Sequence, residues 1–352
     1  MSAHLIAPSR RTRRTPFSSR IEALGAKAYT VYNHMLLATS FQGVEADYWH
    51  LRHHVQLWDV SCERQVEVSG PDAAKLVQMM TPRNLQKAVI GQCVYAPIID
   101  AAGGMINDPV ILKLAEDRFW ISIADSDVKL YTQGLAQGLG MDVSVSEPDV
   151  FPLAIQGPKA DDLAARVFGD EVRAIRFFRF QKLEFKGHEF VVARSGWSKQ
   201  GGFEVYVDAP ELAGELWDAL WQAGQEFSVA PGCPNLIERI EGGLFSYGND
   251  FTQENNPIEA GLEKYCAIDS DIDFIGKEAL RRIRDEGAAR MIRGVRLEGG
   301  DCPACVESWP VNLGGRPVGM VTSAAWSPAL GTAIGFAMID AGAFDIGTEL
   351  QV

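Results

Sequence analysis

Apolar and polar residues alternate in short runs along most of this chain, and glycine, proline and acidic clusters separate the runs. Val66-Glu67-Val68-Ser69 has the period of two expected of a half-buried strand, and it leads through Gly70-Pro71 into Asp72-Ala73-Ala74-Lys75-Leu76. Leu153-Ala154-Ile155-Gln156 leads in the same way through Gly157-Pro158 into Lys159-Ala160-Asp161-Asp162-Leu163. Beyond each turn the apolar residues fall at i, i+3, i+4 and i+7. They are Ala73, Leu76, Val77 and Met80 in one copy, and Ala160, Leu163, Ala164 and Val167 in the other. That spacing predicts two helices with one apolar face each. Glycine permits the tight turn, and proline suits the first turn of a helix. The shared order reads as a duplicated α+β unit.

Each unit runs on into a predicted meander. The first has strands over 91–99, 109–114 and 119–123, with a turn at Asp100-Ala101-Ala102-Gly103-Gly104. The second has strands over 180–185, 189–194 and 202–207. A helix follows over 210–224, with Leu212, Leu216, Trp217, Leu220 and Trp221 on one side, then another over 234–244 and a third opening at Ile275. From about Met291 short strands with frequent glycine and proline suggest a small β-barrel. Strands and helices come in runs, not in strict alternation. The expected fold is therefore α+β with mainly antiparallel sheets.

The chain's 352 residues suggest two or three domains. Its charge of −13 argues against a general nucleic-acid binder, since phosphate contact needs basic surface. The same charge permits a cationic small substrate. No apolar run approaches the ~20 residues of a membrane span. The start is basic (Arg10, Arg11, Arg13, Arg14) with no apolar stretch after it, so it does not read as a secretory signal. Six scattered cysteines suggest reduced thiols in a cytoplasm. Cys302-Pro303-Ala304-Cys305 lacks the second ligand pair of a zinc site, so no metal is expected. Neither a dinucleotide-binding nor a Walker glycine loop is present.

Chemistry-bearing residues gather in three stretches: Tyr95 to Asp108, Arg194 to Tyr206, and Glu238 to Asp250. Glu204 lies between Phe203 and Val205, so on a strand it faces away from both. From the strand pattern alone it reads as a solvent-facing carboxylate. Seven further stretches follow one another along the chain: Trp58-Asp59-Val60-Ser61, Gly103-Gly104-Met105-Ile106-Asn107-Asp108, Ile155-Gln156-Gly157-Pro158, Gly202-Phe203-Glu204, Arg239-Ile240-Glu241-Gly242-Gly243, Phe274-Ile275-Gly276-Lys277-Glu278-Ala279-Leu280 and Ser327-Pro328-Ala329-Leu330-Gly331. With them the chain resembles the folate-binding aminomethyltransferase family, the glycine cleavage T-protein and its relatives.

The resemblance implies three domains around a central folate site. One combines 1–60 with 150–225, a second combines 61–149 with 226–288, and 289–352 forms the barrel. It implies tetrahydrofolate held by Tyr95 and Asp108, thirteen positions apart, by Glu204 at the pterin, and by Arg239 and Tyr247. For Arg239 the residues alone leave open an ion pair with Glu241 or Glu238. Asp108 either orients the pterin or accepts a proton. The family's acidic pair is here Asn107-Asp108, and a family asparagine is Ala124. Where T-proteins have a Gly-Tyr-Thr-Gly-Glu-like segment, this chain has Gly196-Trp197-Ser198-Lys199-Gln200.

Within the family the closer likeness is to members that demethylate a sulfonium compound. Thr30 to Met35, Asp47 to Leu51, Ala193 to Glu204, Pro231 to Arg239 and Asn255-Asn256-Pro257 carry it. That likeness implies direct methyl transfer from a sulfonium donor to N5 of tetrahydrofolate. Trp197 would offer its ring face to the cation, an attraction of roughly 0.5–2 kcal/mol. Lys199 would meet a substrate carboxylate, and Tyr32 and Tyr206 would line the same site. The alternatives are aminomethyl transfer, another onium donor, and a folate-binding module without catalysis. Small molecules are the expected partners, with no nucleic acid and no membrane, in the cytoplasm; a homodimer is left open.

Overall fold

Period-two alternation along the strands sorts this protein's side chains into packed layers. The computed structural model describes residues 9–299 and 302–352; the opening eight residues of the expected first domain lie outside it. A six-stranded sheet has the spatial order Phe180–Phe185, His188–Ala193, Gly202–Val207, Phe151–Gln156, Val55–Asp59, Val229–Pro231. A five-stranded antiparallel sheet has the order Ser144–Ser146, Gln65–Ser69, Arg118–Ser122, Val110–Ala115, Gln92–Tyr95. The chain is thus α+β, and its sheets are antiparallel except where Val229–Pro231 runs parallel to Val55–Asp59.

One face of the six-stranded sheet (Leu57, Ile155, Val192, Phe203, Val205) packs with Leu163, Phe168, Leu216 and Leu220 from the helices Ala160–Phe168 and Pro210–Gly224. One face of the five-stranded sheet (Val66, Val68, Ile111, Ile121) packs with Leu76 and Val77 of the helix Ala73–Met79 and with Val128 of the helix Val128–Gly138. The residues between those positions belong to a third cluster. Cys93, Leu112 and Trp120 of one sheet meet Val191, Ala193 and Tyr206 of the other. The two sheets therefore pack face to face, with helices outside. Both sheets are covered on both faces, which the alternating pattern alone did not indicate.

The duplicated unit holds in three dimensions. Gly70 and Gly157 both have φ +126°, and a Cβ there would fall 2.8 Å from the Asp142 carbonyl oxygen and 2.3 Å from that of His54. Each turn needs glycine because neighbouring backbone passes too close for any side chain.

The remaining elements close over one end. The helices Val44–His53, Leu236–Gly242 and Lys277–Glu286 share a core with Ile292, Phe336 and Met338 of a four-stranded antiparallel sheet. That sheet has the order Arg290–Leu297, Thr332–Asp340, Arg316–Ser327, Trp309–Leu313. Elements that were not predicted include the helix Val44–His53, whose buried side chains are few, the helix Val128–Gly138, and the hairpin of Ala28–Tyr32 and Met35–Ser40.

Candidate active site

Strand Gly202–Val207 is buried along its whole length. Phe203, Val205 and Val207 enter the helix-side core. Glu204 and Tyr206 therefore point between the sheets, where Tyr206 lies 6.0 Å from Trp120. The solvent-facing reading of Glu204 is corrected: it is 7% exposed. Glu204 pairs across the ladder with Ala193, so the chain just past Ala193 returns to the same place. Ser195 Oγ donates to Glu204 Oε2 at 2.5 Å, and Tyr206 Oη donates to the same oxygen at 3.4 Å. Oε1 has no hydrogen-bond partner and the carboxylate no ion pair among the described residues. Burial raises the Glu204 proton affinity, and the hydrogen bonds from Ser195 and Tyr206 oppose it.

The thirteen-residue spacing from Tyr95 to Asp108 is closed by strand pairing. Tyr95 is opposite Val110, which brings Asp108 beside the phenol. Tyr95 Oη donates to Asp108 Oδ2 at 2.9 Å. Burial lifts the Asp108 carboxyl from 3.8 to about 7, partly offset by the Tyr95 hydrogen bond and reinforced by the Asp250 charge. The neighbouring Asn107 is fully buried and works as a donor and acceptor. Its Nδ2 donates to the Ala124 carbonyl at 3.1 Å and to Ser126 Oγ at 2.8 Å, and its Oδ1 accepts from the Ala124 N–H at 3.0 Å. An ionised aspartate could not make the first two bonds.

Tyr32 comes from the unpredicted hairpin. Its turn residues Asn33 and His34 have φ +48° and +63°, as a two-residue primed turn requires. Buried Asn33 pins the turn: its N–H donates to Asp125 Oδ1 at 2.8 Å and its Nδ2 to the Cys62 carbonyl at 2.9 Å. Tyr32 is thereby held within reach of the Glu63 and Asp108 charges, which add to burial in raising its phenol.

Glu63 is the residue that sequence reasoning missed. Its carboxylate accepts no hydrogen bond and has no cationic partner among the described residues. Burial raises its proton affinity first, then the charges of Glu204 and Asp108. Tyr32, Glu63, Tyr95 and Asp108 are strongly desolvated yet all retain some exposed surface. Groups of that kind mark a candidate binding site. The signal for Glu63 was thin: it sits at a turn two residues past the Trp58-Asp59-Val60-Ser61 stretch, with no motif of its own.

Arg239 belongs to a second cluster, on helix Leu236–Gly242. Asn235 caps that helix, its Oδ1 accepting from the N–H groups of Ile237 at 3.0 Å and Glu238 at 3.2 Å. The ion-pair partner of Arg239 is neither Glu241 nor Glu238. Its Nη1 donates to Asp250 Oδ2 at 2.7 Å and its Nη2 to Ser323 Oγ at 2.5 Å. Asp250 is satisfied further by Thr322 Oγ1 at 2.9 Å and the Ser246 N–H at 2.8 Å. Glu241 pairs with Arg52 at 2.9 Å and accepts from Tyr48 and Ser327.

The guanidinium of Arg239 stands 5.9 Å from the Trp197 ring centroid, so a protein cation already lies beside that indole. Tyr247 Oη donates to the Met105 carbonyl at 3.0 Å, and the Asp108 charge adds to burial in raising its phenol. Lys199 is exposed. The structure thus gathers Tyr32, Tyr95, Asp108, Glu204 and Tyr206 with Glu63, keeps Tyr247 within reach of Asp108, and sets Arg239 and Trp197 side by side. The stem of Lys199 runs beside Gly242, on the helix that carries Arg239. Among the described residues no cluster of three or more His, Cys, Asp or Glu side chains is placed to hold a metal ion, and no helix is long and apolar enough to cross a membrane.

Comparison with known proteins follows the same outline. The GCVT N-terminal domain model matches residues 17–270, and the glycine cleavage T-protein C-terminal barrel domain model matches residues 290–352. The chain is 54% identical over 347 residues to dimethylsulfoniopropionate demethylase DmdA of Ruegeria pomeroyi, covering 99% of this chain and 94% of that protein. It is 30% identical over 345 residues to an aminomethyltransferase of Listeria welshimeri, covering 96% of this chain and 93% of that one. In structure it resembles the glycine cleavage system aminomethyltransferase T of Bartonella henselae, with a TM-score of 0.84 at 22% identity over 96% of this chain and 93% of that one.

Proposed function

This chain belongs to the glycine cleavage T-protein family, and from that membership we propose that it moves a methyl group from dimethylsulfoniopropionate to tetrahydrofolate. The observation that carries the reading is its 54% identity with the Ruegeria pomeroyi demethylase along nearly the whole chain. The candidate site is consistent with it. Glu63, Asp108 and Glu204 bring three carboxyl groups together with no cation paired to them among the described residues, and such a field favours a positively charged donor.

Folate fits the same group of residues. Ser195 and Tyr206 occupy one oxygen of Glu204, and the other is left to accept from the N–H edge of a pterin. Tyr95 and Asp108 would lie alongside, with Arg239 and Tyr247 as further folate contacts. Tetrahydrofolate supplies the nucleophilic N5 as methyl acceptor. The methyl carbon passes from sulfur to that nitrogen. The C–S bond breaks, its electron pair stays on sulfur, and methylthiopropionate leaves with a neutral thioether sulfur and its carboxylate unchanged. The N5 proton is lost, and Asp108, lifted to about 7, is suited to take it near neutral pH. Because the sulfonium is an activated electrophile, the protein's main tasks are alignment and exclusion of water. Aminomethyl transfer is disfavoured by Asn107, which donates where the family has a second acid.

We also propose the division into 1–60 with 150–225, 61–149 with 226–288, and 289–352 as domains. All six cysteines are free, which suits a reducing cytoplasm. The test is a product assay with reduced folate under anaerobic conditions. Dimethylsulfoniopropionate should yield methylthiopropionate and 5-methyl-tetrahydrofolate in equal amounts, and trimethylammonium analogues should yield far less. A folded protein that forms neither product from the sulfonium overturns the reading.

A further inference from the structure

The loop carrying Trp197 spans Gly196 to Gly201, between strands His188–Ala193 and Gly202–Val207. It begins and ends at the Glu204 site, since Ser195 precedes it and donates to Glu204. Two side chains from other elements hold it. Gln156 Oε1 accepts from Ser198 Oγ at 2.7 Å, while its Nε2 donates to the Ser195 carbonyl at 3.1 Å. Glu238 Oε1 accepts from the Lys199 N–H at 3.2 Å and from Gln200 Nε2 at 2.8 Å. Glu238 is 2% exposed, and its second oxygen has no hydrogen bond; the nearest cation is Arg52 Nη1 at 3.7 Å. Arg239, next on the same helix, faces the Trp197 ring.

Resting on the function proposed above, we infer that Gln200 and Glu238 form a positioning clamp that sets the place of Trp197 and so the affinity for the sulfonium donor, without touching either substrate. A buried carboxylate at 238 requires a donor at 200. Glutamine supplies one; a glutamate there would bring two anions to hydrogen-bond distance in a desolvated place. The amide at 200, one of the departures from the T-protein pattern, is thereby matched to Glu238. Helix Leu236–Gly242 acts on the loop twice, through Glu238 on its backbone and through Arg239 on its ring.

The clamp predicts an asymmetric set of variants. Gln200→Glu raises the donor KM by about 10-fold or more, while the tetrahydrofolate KM stays within about 2-fold. Glu238→Gln is mild, within about 3-fold, because two amides still share one hydrogen bond. The double variant Q200E/E238Q, which exchanges donor and acceptor, returns the donor KM to within about 3-fold of the parent. Gln200→Ala removes the donor without adding charge and raises the donor KM about 3-fold, so a poorly folding Q200E does not end the test. Thermal midpoints of the same four proteins read the pair coupling with no substrate present. An uncoupled cycle overturns the clamp. Coupling in stability with an unmoved donor KM overturns its positioning role. Failure of the parent to form methylthiopropionate overturns the functional reading and the donor named here, while a coupled stability cycle would still stand.

Discussion

The protein holds two buried ionic clusters of opposite design. Around Arg239 the charges of Asp250 and Glu241 are answered: Asp250 pairs with the guanidinium, Thr322, Ser323 and the Ser246 N–H complete its bonds, and Arg52, Tyr48 and Ser327 satisfy Glu241. Around Glu204 the charge is unanswered. Burial raises the proton affinity of Glu63, Asp108 and Glu204, the charges of Glu204 and Asp108 add to it at Glu63, and no cation is paired with them among the described residues. A compensated cluster joins elements, here two helices and the C-terminal sheet. An uncompensated one costs stability and is kept for what it binds.

The largest expected effect separates the two by stability. Arg239→Met leaves Asp250 buried and alone, and should lower unfolding free energy by about 3–5 kcal/mol in chemical denaturation, with partial recovery on adding Asp250→Asn. Glu204→Gln should behave in the opposite sense. Tetrahydrofolate affinity in titration falls by about 10- to 100-fold, while the melting midpoint holds or rises. If both variants lose stability alike, the two clusters are not different in kind.

Glu63→Gln comes next in size. A unit charge several ångströms from the donor is worth about 10-fold in donor KM, and folate affinity should stay within about 2-fold. Equal loss of both would place Glu63 on the folate instead. The smallest effect is a pH profile. Asp108 titrates near 7 in the free protein, so kcat/KM should rise through about pH 7 and then level, and Asp108→Asn should flatten that step. A bound cation lowers the same pKa, so the inflection in kcat should lie below that in kcat/KM. The stability counterpart has a definite sign. Folding raises this carboxyl from 3.8, so its contribution is complete below about pH 4 and is lost as pH rises through about 7. Asp108→Asn should therefore gain in melting midpoint over the parent across that window, with no gain below it.

Much of the fold was legible because it is local. Gly-Pro turns, helical spacing after them and period-two strands placed the two duplicated units, and the helix Pro210–Gly224 was read to the residue. Tyr95 and Asp108, which the resemblance set beside a folate, also touch each other, since strand pairing closes their thirteen-residue spacing. The hairpin bearing Tyr32 escaped because its turn residues carry no glycine, and Asn33 is held by partners far along the chain. The ion-pair alternative for Arg239 named Glu241 or Glu238, because Asp250 is eleven residues away and reaches it only through the following turn.

Sequence by itself determined which side chains share a face of each strand and helix, since backbone geometry sets that period. Only the tertiary structure decided what covers each face. Glu204 lies opposite Phe203 and Val205 in any strand, but it is buried because a second sheet packs on that side. Glu63 acquires its character only when folding buries it within reach of the Glu204 and Asp108 charges. Desolvation and unpaired charge belong to neighbours in space, and local spacing along the chain carries no record of them.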